Sequence, residues 1–468
     1  MEKPYALVVA AVVLGSTFAA WDEAGAIPPF ARKYGTSCST CHTMFPKLNA
    51  FGEAFRLNGY QIPAPEGDEP YIKDKPLELE APAWKDLWPQ AIWPGTIPGM
   101  PPIGIRFINH VEISQEETRA FNTNFEFPHE IELLTGGNFG DDLGFFGQAE
   151  FKHPNTVALQ QAFLKIQDPL TNIGLPVPER AFNLWVGKFD LNYLPAYRNF
   201  TRVFRVHPLW GNKRLSDLRL INPDTLATKS AKNRFRHQDF QPAVEANGIL
   251  FKRFGYSFGV AQGQEEVFDT NNHKDLYYTV RLKLGGRALD GSVPDAEVPI
   301  VAPPTGGWVD NAISIEHFGY FGQFPVQATP RIEDDFSRFG VALNWTFQNL
   351  DLAVGHVWGH HDNPFAPDSF QGVDYRSPFV KAEYMFLPWL MGTLRWELLE
   401  VSRPSDLVAK GFTVSSLDQQ RWLPGVAFLI RGNVRLDIQG EIYSVHRESE
   451  VGNRNKPHTL WVRLDFAF

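Results

Sequence analysis

The sequence predicts a mainly β protein: an antiparallel transmembrane barrel of roughly sixteen strands over residues 105–468, preceded by a small helical module at 27–60. Three observations carry that expectation. Aromatic residues are abundant, with 38 Phe, 13 Trp and 13 Tyr among 468 residues, in a chain whose mean hydropathy is only -0.25. Membrane barrels set aromatics in girdles facing lipid, whereas soluble domains bury most of theirs. Beyond the N-terminus no run approaches the ~20 apolar residues that a membrane helix needs. Finally, segments of about ten residues alternate apolar with polar, the pattern of strands with one lipid-facing and one lumen-facing side.

Residues 1–26 read as a secretory signal. Lys3 supplies a positive start, Ala6 to Gly15 an apolar core, and Ala24-Gly25-Ala26 a cleavage site, leaving Ile27 as the mature N-terminus. The alternative, a membrane anchor, is disfavoured because the apolar stretch is too short to span a bilayer. Only two cysteines are present, and both fall in one five-residue motif, which leaves none for a structural disulfide. The net charge of -9 argues against nucleic acid as a partner. No Ser/His/Asp or nucleotide-binding constellation stands out.

The five-residue motif is Cys38-Ser39-Thr40-Cys41-His42, the attachment pattern of a c-type haem. Two thiols three positions apart can form thioethers to two vinyl groups, and the adjacent His42 is then directed at the iron as an axial ligand. A zinc or redox pair is the competing reading. It is disfavoured by the adjacent histidine, the lack of a second cysteine pair, and the export signal, since haem is attached outside the cytoplasm. Downstream, Phe45, Leu48, Phe51 and Phe55 recur at helical spacing and are the expected haem-packing face. Pro46 suits a first helical turn and Asn58-Gly59 a helix stop. The sixth iron ligand stays open: Met44, two residues from His42, is badly placed to reach the opposite haem face, which leaves Met100, Met385, Met391, a barrel histidine or none as the alternatives.

Phe30-Ala31-Arg32, Tyr34-Gly35, the haem motif, Phe45-Pro46, Leu48, Phe51-Gly52, Phe55 and Gly59-Tyr60 together resemble the fused cytochrome–porin family, the outer-membrane monohaem c-type cytochromes of iron-oxidising bacteria. The resemblance is close over residues 27–60 and extends to the length and layout of the whole chain. It implies one covalently bound haem c in a bacterial outer-membrane barrel. It also implies Fe(II) as an extracellular electron donor and a periplasmic cytochrome or cupredoxin as acceptor. The residues themselves do not distinguish Fe(II) from another reductant.

Residues 61–104 are rich in Pro and Trp and read as an extended linker. In the barrel, Phe339, Val341, Leu343, Trp345 and Phe347 alternate with small and polar residues, and the final strand sets Leu460, Val462, Leu464, Phe466 and Phe468 on one face. Short turns are expected at Gln348-Asn349, Leu387-Pro388 and Arg431-Gly432, and long loops at His360–Gln371, Ser402–Ser415 and Arg447–Lys456. This alternation of turns and loops marks the two ends of a membrane barrel. It places the haem module, the C-terminus and the long 285–308 connection on the periplasmic side. On the lumen face, Arg435 with Asp437, Arg463 with Asp465, and Lys381 and Glu383 opposite Arg395 and Glu397 read as cross-strand ion ladders.

The segment 191–239 carries Arg198, Arg202, Arg205, Lys213, Arg214, Arg219, Lys229, Lys232, Arg234 and Arg236. It is either a solvated surface loop or a constriction folded into the lumen, where a basic lining would favour anions. His360-His361-Asp362 carries the donor types of a transition-metal site, against the plainer reading of solvated histidines. Two functions follow. One is an electron conduit in which the N-terminal module plugs the barrel, and the other is a diffusion porin for anions or small solutes with an accessory haem. A soluble cytochrome fused to a β-sandwich is a third.

Overall fold

The structure, a computed structural model, describes residues 29–73, 77–78, 96–97, 102–114, 123–140, 142–152, 156–198, 202–204, 206–265, 272–293, 310–446 and 458–468. The expected signal peptide, Met100, much of the linker and the loop expected at Arg447–Lys456 lie outside the described residues.

Sixteen antiparallel strands close into a barrel. In chain order they are β1 (Ile103–Ser114), β2 (Thr123–Phe139), β3 (Leu143–Lys152), β4 (Thr156–Ile166), β5 (Asn183–Phe189), β6 (Gln241–Leu250), β7 (Phe254–Ala261) and β8 (Asp275–Gly285). The second half comprises β9 (Ala312–Gln327), β10 (Ile332–Phe347), β11 (Leu350–His361), β12 (Val373–Leu387), β13 (Leu390–Val401), β14 (Gln419–Arg431), β15 (Val434–His446) and β16 (Thr459–Ala467). Every strand pairs with its sequence neighbour, and β16 returns to β1 with Ala467 opposite Arg106. Closure removes the free edges that an open sheet of this size would expose. It also rules out the β-sandwich reading.

The period-2 pattern resolves as the sequence predicts. Val341, Leu343, Trp345 and Phe347 are exposed on the outside of β10, as are Leu460 of β16 and the terminal Phe468. An outer surface this apolar is the lipid-facing band of a membrane barrel. The inward positions are charged and paired. Arg106 bonds Asp465 and Glu132 at 2.6 and 2.9 Å, Arg435 lies 2.9 Å from Asp465 and 3.2 Å from Asp437, and Arg463 reaches Asp437 at 2.9 Å. Lys381 faces the like-charged Arg395. Asp351 and Glu383 offset the first, at 3.4 and 3.3 Å, and Glu397 the second, at 3.6 Å.

Turns and loops also sort by end. Residues 348–349, 388–389 and 432–433 connect strands at the end that carries the C-terminus, and the long 286–311 connection shares that end. The second and third turns fall one residue later than the sequence suggests, because Leu387 still pairs with Leu390 and Arg431 with Val434. Loops 362–372 and 402–418 lie at the opposite end.

Two insertions fill the lumen. The first is the N-terminal module. The second is the segment between β5 and β6, and of its two readings the inward one holds. Tyr193, Tyr197, Trp210 and Phe235 are buried. The Tyr193 ring lies 5.1 Å from Phe318, and the Phe235 ring 4.4 Å from Tyr320. The Ala196 amide donates to Glu316 at 2.8 Å, and the Val206 amide to Gln439 at 3.0 Å. Its cations do not form a bare basic lining. Lys229 pairs with Asp368 at 2.7 Å, and Arg236 and Arg214 both reach Asp239. Arg205 lies outside the described residues.

Candidate functional site: a cysteine-lined cavity in the lumen

The module opens with a six-residue helix, α1 (Pro29–Tyr34), and a single turn, α2 (Cys38–Cys41). Two short strands, His42–Met44 and Lys47–Leu48, follow and pair across a turn at Phe45-Pro46. Helix α3 then runs over Ala50–Leu57. Pro46 therefore does not start the helix as its residue type suggests. Asn49 does, because its side-chain oxygen caps the Gly52 amide at 2.9 Å. The same amide group donates to the carbonyls of Ser39 and Thr40 at 3.2 and 2.9 Å, tying α2 to α3. The helix stops where expected, with Asn58 at the C-cap and Gly59 in the left-handed region at φ 66. Packing continues past the expected boundary at 60, since Ile62 and Ala64 are also buried.

Cys38, Cys41 and His42 all line one cavity, with about 1600 Å³ of empty space that opens to solvent. Phe45, Leu48, Phe51 and Phe55, the four expected packing residues, line it too. The barrel contributes Phe146, Phe163, Trp185 and Phe189, and Arg56, Arg106 and Arg198 stand at its margin. Sequence reasoning does not find the wall aromatics, because a lumen-facing Phe on a strand looks like any other strand Phe.

The thiols lie three residues apart on one helical turn, so they share a face. Burial pushes the Cys41 thiol up to about 12, with Cys38 adding to the effect, and raises Cys38 as well. A reactive exchange pair would instead need a lowered thiol. His42 Nδ1 donates to the Pro46 carbonyl at 3.1 Å, which orients the ring and leaves Nε2 as the nitrogen available to a metal. Burial pushes His42 down to about 4, so the imidazole stays neutral as a ligand requires. Two thiols, a neutral oriented imidazole and an aromatic-lined cavity fit a covalently attached haem.

Among the described lining residues there is no second histidine and no methionine. Met44, Met385 and Met391 instead pack together with Val203 and Phe204 in a separate buried cluster. His360 and His361 are adjacent on β11 and point to opposite faces. His361 is fully buried, 2.8 Å from Asp334 and stacked on Phe336, whereas His360 is exposed and bonds Asp374. They do not converge on one ion.

The module is held from all sides. Lys33 reaches Asn138 on β2 at 2.6 Å, Lys47 bonds Asp351 and Glu383 on β11 and β12, and Arg435 on β15 bonds the Phe45 carbonyl. Glu53 pairs with Arg198 of the lumen loop at 2.5 Å and with Arg56 at 3.0 Å. Burial alone would raise the Glu53 carboxyl, but Arg198, then Arg56 and Arg281, hold it well below the usual carboxylate range. A depressed carboxylate contributes stability that is complete above its unfolded value, near ~4.3, and is lost as pH falls through its folded value. Removing it leaves buried cations unpaired, so Glu53→Ala should cost about 3–5 kcal/mol. Thermal melts of the detergent-solubilised protein should show wild type losing this increment on acidification and the variant lacking it at every pH.

No protein-family model and no curated protein matches the chain. Among solved structures the chain is similar to the outer membrane channel DcaP of Acinetobacter baumannii, with TM-score 0.50 and 9% identity over 78% of this chain and 96% of that one. OmpF of Salmonella typhi in complex with daunomycin gives 0.49 at 11% identity, covering 78% and 97%. An anion-selective porin from Comamonas acidovorans gives 0.49 at 10%, covering 78% and 98%. At 9% identity the first likeness is one of fold, the outer-membrane barrel.

Proposed function

We propose that this chain is an outer-membrane electron conduit, taking electrons from an extracellular donor and delivering them to a periplasmic carrier such as a cytochrome or cupredoxin. Fe(II) as the donor rests on the family resemblance. The observation that carries the reading is the position of Cys38, Cys41 and His42, around an apolar cavity inside the barrel rather than on a domain hanging outside it. An apolar band ~25 Å tall separates the two aqueous sides. A redox group must lie within that band, or close to its edge, to serve both.

When bound, haem supplies one-electron redox chemistry at this place. Cys38 and Cys41 would hold it by thioether bonds and His42 would ligate the iron. The cavity aromatics would keep water from it, and Arg56 and Arg198, which share the single carboxylate of Glu53, would leave positive charge for propionates. Cys38 Sγ lies 3.9 Å from where a Cβ on Gly432 would be, in a turn at the C-terminal end of the barrel. Export and assembly leave that end in the periplasm, within reach of a soluble carrier.

The fold likeness to channels favours a second reading, a diffusion porin with an accessory haem. Against it stand the aromatic packing of the 190–240 segment and the carboxylate partners of its cations. Anaerobic stopped-flow mixing of oxidised, haem-loaded protein with Fe(II) separates the two. Rapid haem reduction, abolished in Cys41→Ala, is the expected result. A spectrally intact haem that dithionite reduces and Fe(II) leaves oxidised would overturn Fe(II) as donor.

A further inference from the structure

Outside the cavity, the inner wall carries a cluster that the proposed function does not use. His110 of β1 and Glu126 and His129 of β2 place one ligand atom each within 4.8 Å of one another. His110 Nε2 lies 3.4 Å from Glu126 Oε2, and His129 Nδ1 bonds the same oxygen. The two rings are 4.2 Å apart between centroids. Sequence position alone would not bring these groups together. Glu126 and His129 are three apart on a strand, a spacing that normally sends side chains to opposite faces.

A bulge changes that. Ile108 pairs with Glu130 and His110 with Glu126, so a single residue of β1 faces three of β2. Bulges re-aim side chains in this way and are over-represented beside functional sites. The plain alternative is a hydrogen-bonded His–Glu–His group with no ligand. Two imidazoles converging on one carboxylate oxygen is, however, the donor set of divalent first-row transition metals, two histidines and one carboxylate with positions left open. His110 is buried, while Glu126 and His129 keep partial access to solvent, so an ion can enter and still be enclosed on one side.

We propose that His110, Glu126 and His129 bind a divalent first-row transition-metal ion on the inner wall of the barrel. The site joins the cavity by a continuous file of carboxylates. His129 Nε2 is 3.9 Å from Glu130, the carboxylates of Glu130, Glu132 and Glu150 lie within 4.8 Å of one another, and Glu132 lines the cavity. Lys152 and Arg106 balance part of that charge, at 2.6 and 2.9 Å. Resting on the electron-conduit reading, this is the position that holds the donor ion; the binding site itself stands without that reading.

The test uses the full-length, haem-loaded protein in detergent and Co(II) as probe, titrated by calorimetry and examined by X-ray absorption at the cobalt edge. One Co(II) with imidazole scattering is expected in wild type. Glu126→Gln and His129→Ala should each weaken binding at least about tenfold, the size that even an outer-shell change produces, with the haem spectrum unchanged. Equal affinity in wild type and both variants, or a cobalt environment without imidazole, would overturn the site. Unaltered haem reduction by Fe(II) in variants that have lost Co(II) would overturn its role in holding the donor. If Co(II) binds as expected and Fe(II) leaves the haem oxidised, the site stands and Fe(II) as the donor fails.

Discussion

A variant lacking residues 29–73 should conduct in planar bilayers as an open channel, with currents roughly an order of magnitude or more above those of the complete chain, because sixteen strands enclose an aqueous lumen unless something fills it. The contacts of the module show how it fills that space. Lys33 touches β2, the carbonyl of Arg56 meets Lys165 on β4, Glu53 approaches Arg281 on β8 at 3.9 Å, Lys47 bonds β11 and β12, and Phe45 meets Arg435 on β15. In a ring of sixteen, β2 and β11 lie on opposite sides, so the module spans the lumen. The 190–240 segment fills the lumen on the side of β8–β16, through Tyr277 on β8, Glu316 on β9, Asp334 on β10, Tyr375 on β12, Glu397 on β13, Gln439 on β15 and Arg463 on β16. Excision should therefore open a passage along β1–β4. Currents that stay at the level of the intact protein would mean that the inward segment seals the barrel by itself, leaving the module no part in closure.

The barrel was legible in the sequence because lipid imposes a strict code. Outward positions such as Val341 and Leu343 must be apolar, and inward ones such as Arg463 and Asp465 are free to be charged, so period and strand number follow from alternation. Cys38, Cys41 and His42 stood out in the sequence because their spacing matches a haem-attachment pattern, and the structure brings all three to one cavity. What the sequence does not reveal depends on long-range approach. Asn49 looks like any polar loop residue until it is seen joining α2 to α3. Pro46 has the residue type of a helix start, yet its carbonyl is needed to orient His42, and that requires the turn between the two short strands instead. His360 and His361 read as a pair in one dimension, but strand geometry sends neighbours to opposite faces. His110 and His129, nineteen positions apart, are brought together only by the register shift between β1 and β2.

Gly52 gives the sharpest test of the module's geometry. A Cβ at this position would lie 2.1 Å from the Cys41 carbonyl oxygen and 2.9 Å from its carbon. The obstacle is backbone, so no rotamer change relieves it. Helix α3 must move off α2, and with it goes the Asn49 cap that bonds both. Over-packing typically costs about 1–3 kcal/mol where side chains can yield, and Gly52→Val should reach or exceed the upper end of that range. Since Lys47 and Arg56 are mostly shielded inside the lumen, trypsin should cut the variant there while sparing wild type, and thermal release of the module should come several degrees earlier. Gly432→Ala is the matched control. Its Cβ would meet Cys38 Sγ at an ordinary 3.9 Å, so it should leave trypsin resistance unchanged. Equal resistance in Gly52→Val and Gly432→Ala would mean that α2 and α3 do not pack this closely, and the shared placement of Cys41 and His42 around the cavity would have to be redrawn.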